Sequence, residues 1–125
     1  MASNPVGWFE IYVDQMARAK AFYQQVFALE LEAMEEPSDE IEMWLFPGHH
    51  EEYGASGALV KMADCSAGGN STVVYFSCDD CAVQQQRAAE AGGAVVKPKF
   101  AIGKHGFIAL VRDTEGNLIG LHSMS

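Results

Sequence analysis

Two segments carry side chains of the types that bind metals or phosphates. The run from His49 to Glu52 places metal-donor types side by side, but neighbouring residues of an extended chain point in opposite directions. A solvated acidic loop is therefore the favoured interpretation. Gly103-Lys104-His105-Gly106 lacks the Ser or Thr that follows the lysine of a phosphate loop. It is either a plain connection or a glycine-flanked lid from which His105 reaches inward.

The segment Cys78-Asp79-Asp80-Cys81 has the spacing of a redox pair and lies where a strand is predicted to pass into a helix. A helix N-terminus lowers the pKa of a thiol, whereas the two intervening carboxylates raise it. The chain has three cysteines, so no second pair completes a zinc site. Core packing accounts for both thiols.

Charge excludes several classes of partner. The 125 residues include 17 acidic and 8 basic side chains, for a net charge of -9. Nucleic acids and anionic membranes require clustered basic residues, so neither is expected as a partner. No apolar run is long enough to span a membrane, and the first residues do not resemble a signal peptide. We therefore expect a cytoplasmic protein. The acidic stretch from Ala21 to Val60 is either a solvated surface or a field that favours cationic ligands stacked on Trp8 and Trp44.

The first half of the chain predicts one strand, one helix and three more strands. Residues 6–13 alternate, with Phe9 and Ile11 on one face and Glu10 on the other. Asp14 is a candidate N-cap for an amphipathic helix of about three turns that begins at Met16. The later strands are predicted at 29–34, 41–46 and 58–62, with a turn at 35–39 and a polar loop at 47–57.

The second half repeats this order with an offset of 65 residues. Its predicted strands are 72–78, 94–96 (ended by Pro98), 107–111 and 117–122, and a helix over 81–91 has Asp79 and Asp80 as cap candidates. The last two strands form a hairpin around residues 113–116. One domain is expected, with module 1 at about 5–63, a linker at about 64–71 and module 2 at about 72–125. Each sheet buries one face under its helix, and the two opposite faces enclose a cavity.

Both ends of the chain resemble a known superfamily. The segment 11–14, the run Arg18-Ala19-Lys20-Ala21-Phe22-Tyr23 and the closing hairpin 107–122 are similar to the vicinal oxygen chelate proteins. That superfamily includes glyoxalase I, extradiol dioxygenases and bleomycin-binding proteins. The resemblance implies an α+β fold of two tandem βαβββ modules with curved mixed sheets, often assembled as a homodimer. The branch related to lactoylglutathione lyase is the most similar one.

Metal-using relatives take one ligand from the first and one from the last strand of each module. Carried over by spacing, these positions hold Trp8, Ala58, Val73 and Gly120. Indole, methyl, isopropyl and hydrogen cannot bind a divalent ion. The resemblance allows a metal, but these residues predict none, and no other cofactor is indicated.

Polar side chains stand one step along the same strands from these positions. Two residues onward lie Glu10, Tyr75 and His122, and Tyr12 and Ser77 lie one step further. We expect Glu10 and His122 to form either an acid–base pair, with Tyr75 orienting a ligand oxygen, or a structural polar pair.

Two functions remain open at this point. One is a glyoxalase-like lyase or isomerase that acts on a small organic substrate through the acid–base residues. The other is a non-catalytic protein that sequesters a bleomycin-type antibiotic, with Trp8, Trp44, Tyr12, Ser77 and His105 among the ligand-binding residues.

Overall fold

Two similar modules follow one another along the chain. The computed structural model describes residues 5–34, 40–48 and 54–125. The first module contains β1 (Trp8–Tyr12), α1 (Met16–Phe27), β2 (Glu32–Ala33), β3 (Ile41–Leu45) and β4 (Ser56–Met62). The second contains β5 (Val74–Ser77), α2 (Cys81–Glu90), β6 (Ala94–Ala101), a short 3-10 turn (Gly103–His105), β7 (Phe107–Arg112) and β8 (Leu118–Ser123). The predicted turn at 35–39 and the run from His49 to Glu52 lie outside the described residues.

Each module forms one four-stranded mixed sheet. The strand orders are β1-β4-β3-β2 and β5-β8-β7-β6, with the first and last strands of each module paired in parallel. Within the described residues no strand pairing joins the two sheets. The predicted α+β fold of two tandem βαβββ modules is confirmed, with sheets that are not closed into a barrel. None of the described helices is long and apolar enough to cross a membrane.

The two helices and the inner faces of both sheets share one core. The Phe76 ring of β5 stacks on Phe27 of α1 with ring centroids 4.4 Å apart, and it also contacts Tyr23 and Phe9. The predicted alternation of β1 is confirmed, because Ile11 is buried whereas Trp8 and Glu10 are exposed. The outer faces of β1 and β5 are therefore left for the site.

The start of α1 differs from the prediction. The N-cap residue is Gln15, without a side-chain capping bond, and Asp14 instead accepts a hydrogen bond from the Ala67 amide. The backbone N–H groups of Asp14 and Gln15, at the start of the helix, donate to the Glu115 carboxylate at 3.0 and 2.9 Å. The Arg18 guanidinium forms an ion pair with the same carboxylate at 2.6 Å. A buried acid of the second module thus caps the helix of the first. At α2 the prediction holds, since Asp80 accepts from the Ala82 amide.

Strand β6 is longer than predicted because Pro98 does not end it. The strand lies at the edge of its sheet and pairs only with β7, with register shifts between Val95 and Lys97 and between Lys97 and Phe100. Proline is tolerated at an edge strand or a bulge, where no ladder bond requires its missing N–H.

Candidate functional site

A cavity of about 640 Å³ lies beside β1 and β5, the two strands that have no partner on the side facing the other module. Its walls come from these two strands, from the connection after β4 and from the beginning of β8. The lining includes Val6, Trp8, Glu10, Tyr12, Ser66, Gly68, Asn70, Thr72, Val73, Tyr75, Asn117 and Leu118.

Glu10 is the only charged side chain among the lining residues that the structure describes. Its two neighbours on the same face of β1 fix its orientation. Trp8 Nε1 donates to Glu10 Oε2 at 3.2 Å, and the Tyr12 hydroxyl donates to Glu10 Oε1 at 2.8 Å. The bond to Glu10 raises the pKa of Tyr12 to about 12, so the phenol stays protonated at neutral pH. This Trp8–Glu10–Tyr12 triad forms one wall of the cavity.

Tyr75 faces the cavity from β5 and packs on a glycine. It pairs with Gly120 of β8, and a Cβ built on Gly120 would clash with the Tyr75 ring. The ring therefore occupies the space that a side chain at position 120 would need. Tyr75 remains 47 % exposed and Trp8 45 % exposed, so both rings present area to a ligand.

Asn117 holds the connection after β4 in place, and sequence analysis did not assign it to the site. Its amide nitrogen donates to the Tyr12 carbonyl at 3.0 Å, and its side-chain oxygen accepts from the Gly68 amide at 2.7 Å. Asn70, within that connection, ties it to the start of β8 by accepting from the Leu118 amide. Two amide side chains that follow glycine in the sequence were the available signal, because such residues satisfy loop backbone groups.

The structure brings only some of the predicted site residues together in the cavity. Glu10 and Tyr75 line the same cavity, and so do Trp8 and Tyr12. His122 is on the open face of β8 beside Ser77, but its Nε2 donates to the His105 carbonyl at 2.7 Å. These three residues do not line the cavity, and no hydrogen bond joins His122 to Glu10 among the described residues.

Trp44 lies on the opposite side of its sheet from the cavity. It packs against the core, and Lys20 of α1 places its ammonium 3.1 Å from the centroid of the indole ring. Its indole N–H donates to Glu42 at 3.1 Å. Trp44 is thus a residue of the helix-covered face.

The positions that hold metal ligands in metal-using relatives do not fit a divalent ion. Ala58 is fully buried, Gly120 is covered by the Tyr75 ring, and Trp8 uses its only polar atom to donate to Glu10. A divalent ion needs ligand atoms with a free lone pair, and the indole N–H, methyl, isopropyl and hydrogen at these positions offer none. No step of a reaction is therefore assigned to a metal.

Solved structures share this architecture. An antibiotic binding protein, TnmS3 from Streptomyces sp. CB03234, is 26 % identical over 100 % of this chain and 99 % of its own, with a TM-score of 0.69. A glyoxalase/bleomycin resistance protein/dioxygenase family enzyme from Burkholderia phytofirmans PsJN is 17 % identical over 95 % and 98 %, with a TM-score of 0.66.

Glyoxalase I from Zea mays, as its E144Q mutant, has a TM-score of 0.74 at 15 % identity. The match covers 96 % of this chain but only 47 % of the maize protein, so the chain spans about half its length. No protein of curated function matches significantly. The family model of the Glyoxalase/Bleomycin resistance protein/Dioxygenase superfamily matches residues 6–121, and the chain belongs to that superfamily.

Proposed function

We propose that this protein binds a small organic molecule with an aromatic part in the cavity between β1 and β5, and holds it without converting it. The observation that carries the proposal is the pair of half-exposed rings, Trp8 and Tyr75, on the walls of a 640 Å³ cavity. Ligand sites are typically concave, mostly apolar and of about 300–1,000 Å³, with a few polar groups that fix orientation.

A solved structure that aligns over nearly the full length of both chains supports the same proposal. TnmS3 is an antibiotic binding protein, and 99 % of its length aligns with this chain at 26 % identity. An antibiotic or a similar secondary metabolite is the ligand class that this relationship favours. A homodimer and a cytoplasmic location stay predictions from the sequence.

A fluorescence titration with N-phenyl-1-naphthylamine, a neutral aromatic probe, tests the proposal. Trp8→Ala and Tyr75→Ala each remove one ring from the cavity wall, and stacking contacts of this kind contribute about 1 kcal/mol or more. We expect each variant to bind the probe at least about fivefold more weakly. Trp44→Phe is the matched control, because its ring lies on the other face of the sheet. Equal affinity in all four proteins would contradict the proposal.

Proton transfer is a second candidate, since Glu10 brings a carboxylate to the same cavity. A glyoxalase-like lyase or isomerase would use it as the base. Mass spectrometry of bound candidate ligands recovered after incubation separates the two functions. Unchanged ligand favours the binding protein, and a product that Glu10→Gln fails to form favours the enzyme.

A further inference from the structure

We propose that the Trp8–Glu10–Tyr12 triad is the recognition site for an organic ammonium group, so that the ligand is an aromatic amine carried as its cation. This inference rests on the proposed function and names the ligand class of the same cavity.

The protein already contains one indole–carboxylate pair whose ring carries a cation. On β3, the Trp44 indole N–H donates to the Glu42 carboxylate at 3.1 Å, two residues away along the strand. The Lys20 ammonium lies over the face of that indole, 3.1 Å from the ring centroid. A primary ammonium thus rests on an indole ring whose N–H is held by a carboxylate two residues away.

Strand β1 repeats the pair on the cavity side without a cation of the protein's own. The Trp8 indole N–H donates to the Glu10 carboxylate at 3.2 Å, again two residues apart. Among the described residues no lysine, arginine or histidine forms an ion pair with Glu10, and none lines the cavity. The indole face and the carboxylate therefore stand open to a ligand.

Tyr12 adds what the β3 pair lacks. Its hydroxyl donates to the second carboxylate oxygen at 2.8 Å, so both oxygens of Glu10 are held in place. A carboxylate has about four acceptor positions, and the two neighbours use one on each oxygen. The remaining positions are free for the N–H groups of an ammonium.

The surroundings favour a cation over an anion. The chain carries a net charge of -9, which raises the local concentration of cationic ligands. An anionic ligand would face Glu10 with no described cationic side chain on the cavity wall. Cation–π contact and one partly exposed ion pair together give an expected preference of about tenfold for the cation over a neutral ligand of the same shape.

Competition against N-phenyl-1-naphthylamine tests the inference with three ligands that share one ring system. The probes are 2-(1-naphthyl)ethylamine, which is protonated at pH 7, the neutral 2-(1-naphthyl)ethanol and the anion 1-naphthylacetate. We expect the amine to bind about tenfold more tightly than the alcohol and the carboxylate to bind most weakly. The preference should shrink as NaCl is raised from 20 to 500 mM, because salt screens the exposed charge.

Glu10→Gln keeps the shape of the side chain and removes its charge, so the preference for the amine over the alcohol should fall to the part that cation–π contact with Trp8 supplies. Glu42→Gln is the matched control, since it alters the other indole–carboxylate pair and should keep the tenfold preference. Thermal unfolding of both variants is the control that they are folded.

Three results overturn the inference in separable ways. Equal binding of the three ligands by the unaltered protein refutes the ammonium site and leaves the aromatic binding function standing. A tenfold preference that Glu10→Gln leaves undiminished places the cation elsewhere and also refutes it. Failure of the neutral probe itself to bind removes the proposed function together with the inference.

Discussion

Replacing Glu115 by Gln perturbs the contact that joins the two modules through a helix terminus. The side chain is buried, and its carboxylate accepts bonds from two backbone amides of α1, from Arg18 and from Thr114. Burial alone would raise the pKa of Glu115, but the bonds from Arg18, the Gln15 amide and Thr114 outweigh it and lower the pKa to about 2.

The magnitude follows from this pKa. A fall from 4.5 to about 2 corresponds to about 3 kcal/mol of stability that the ionised group contributes to the native state. Because the pKa is lowered on folding, the contribution is fully present above about pH 5 and is lost as the pH falls through 4.5 toward 2. Gln keeps one acceptor oxygen but no charge, so Glu115→Gln should lose about 2–3 kcal/mol at pH 7.

Urea unfolding between pH 7 and pH 3 measures the effect. The difference between the unaltered protein and Glu115→Gln should be largest at pH 7 and fall to about half at pH 3. Glu32→Gln, an exposed position on β2, is the control and should change the free energy of unfolding by less than 0.5 kcal/mol. A Glu115→Gln variant as stable as the control at pH 7 would refute the role of Glu115 as the cap of α1.

Three other substitutions follow from contacts described above. Gly120→Glu places a carboxylate at a position that holds a metal ligand in metal-using relatives, yet its Cβ would clash with the Tyr75 ring. We expect the free energy of unfolding, measured by thermal unfolding, to fall by about 1–3 kcal/mol, and elemental analysis to find no stoichiometric zinc. A stable variant that binds zinc would contradict this. Spectrophotometric titration should show Tyr12 ionising near pH 12. Glu10→Gln should bring the pKa of Tyr12 down toward 10, because the hydrogen bond to the carboxylate is the main cause of the rise. An unchanged pKa of Tyr12 in the variant would contradict the bond between the two side chains. Asp80→Ala removes the N-cap of α2 and should cost about 1 kcal/mol in urea unfolding, whereas no change would show that the cap is dispensable.

Local alternation was enough to predict the face of β1 that carries the site. Trp8, Glu10 and Tyr12 differ in polarity from their neighbours Phe9 and Ile11, so the two faces could be told apart. The same reasoning did not place Trp44. Both faces of β3 carry large apolar residues, and only packing against α1 decides that Trp44 faces the helix.

Contacts between segments that lie far apart in the chain could not be predicted from the sequence. Glu115 lies 100 residues from the amide of Gln15, and no local signal links the turn of the last hairpin to the first helix. Asp14 was the nearest candidate cap and therefore the natural prediction. The face of β8 on which His122 lies could be predicted from the alternation of the strand. Its hydrogen bond to the His105 carbonyl could not, because it depends on the conformation of the turn at Gly103–His105.

The position of the Phe76 ring has a consequence for unfolding and for how a ligand reaches the cavity. Because this side chain of the second module packs against Phe27 and Tyr23 of the first, separating the two modules would expose their shared core to water. The two modules should therefore unfold together in a single transition, and a ligand has to enter the cavity while the two modules stay packed against each other.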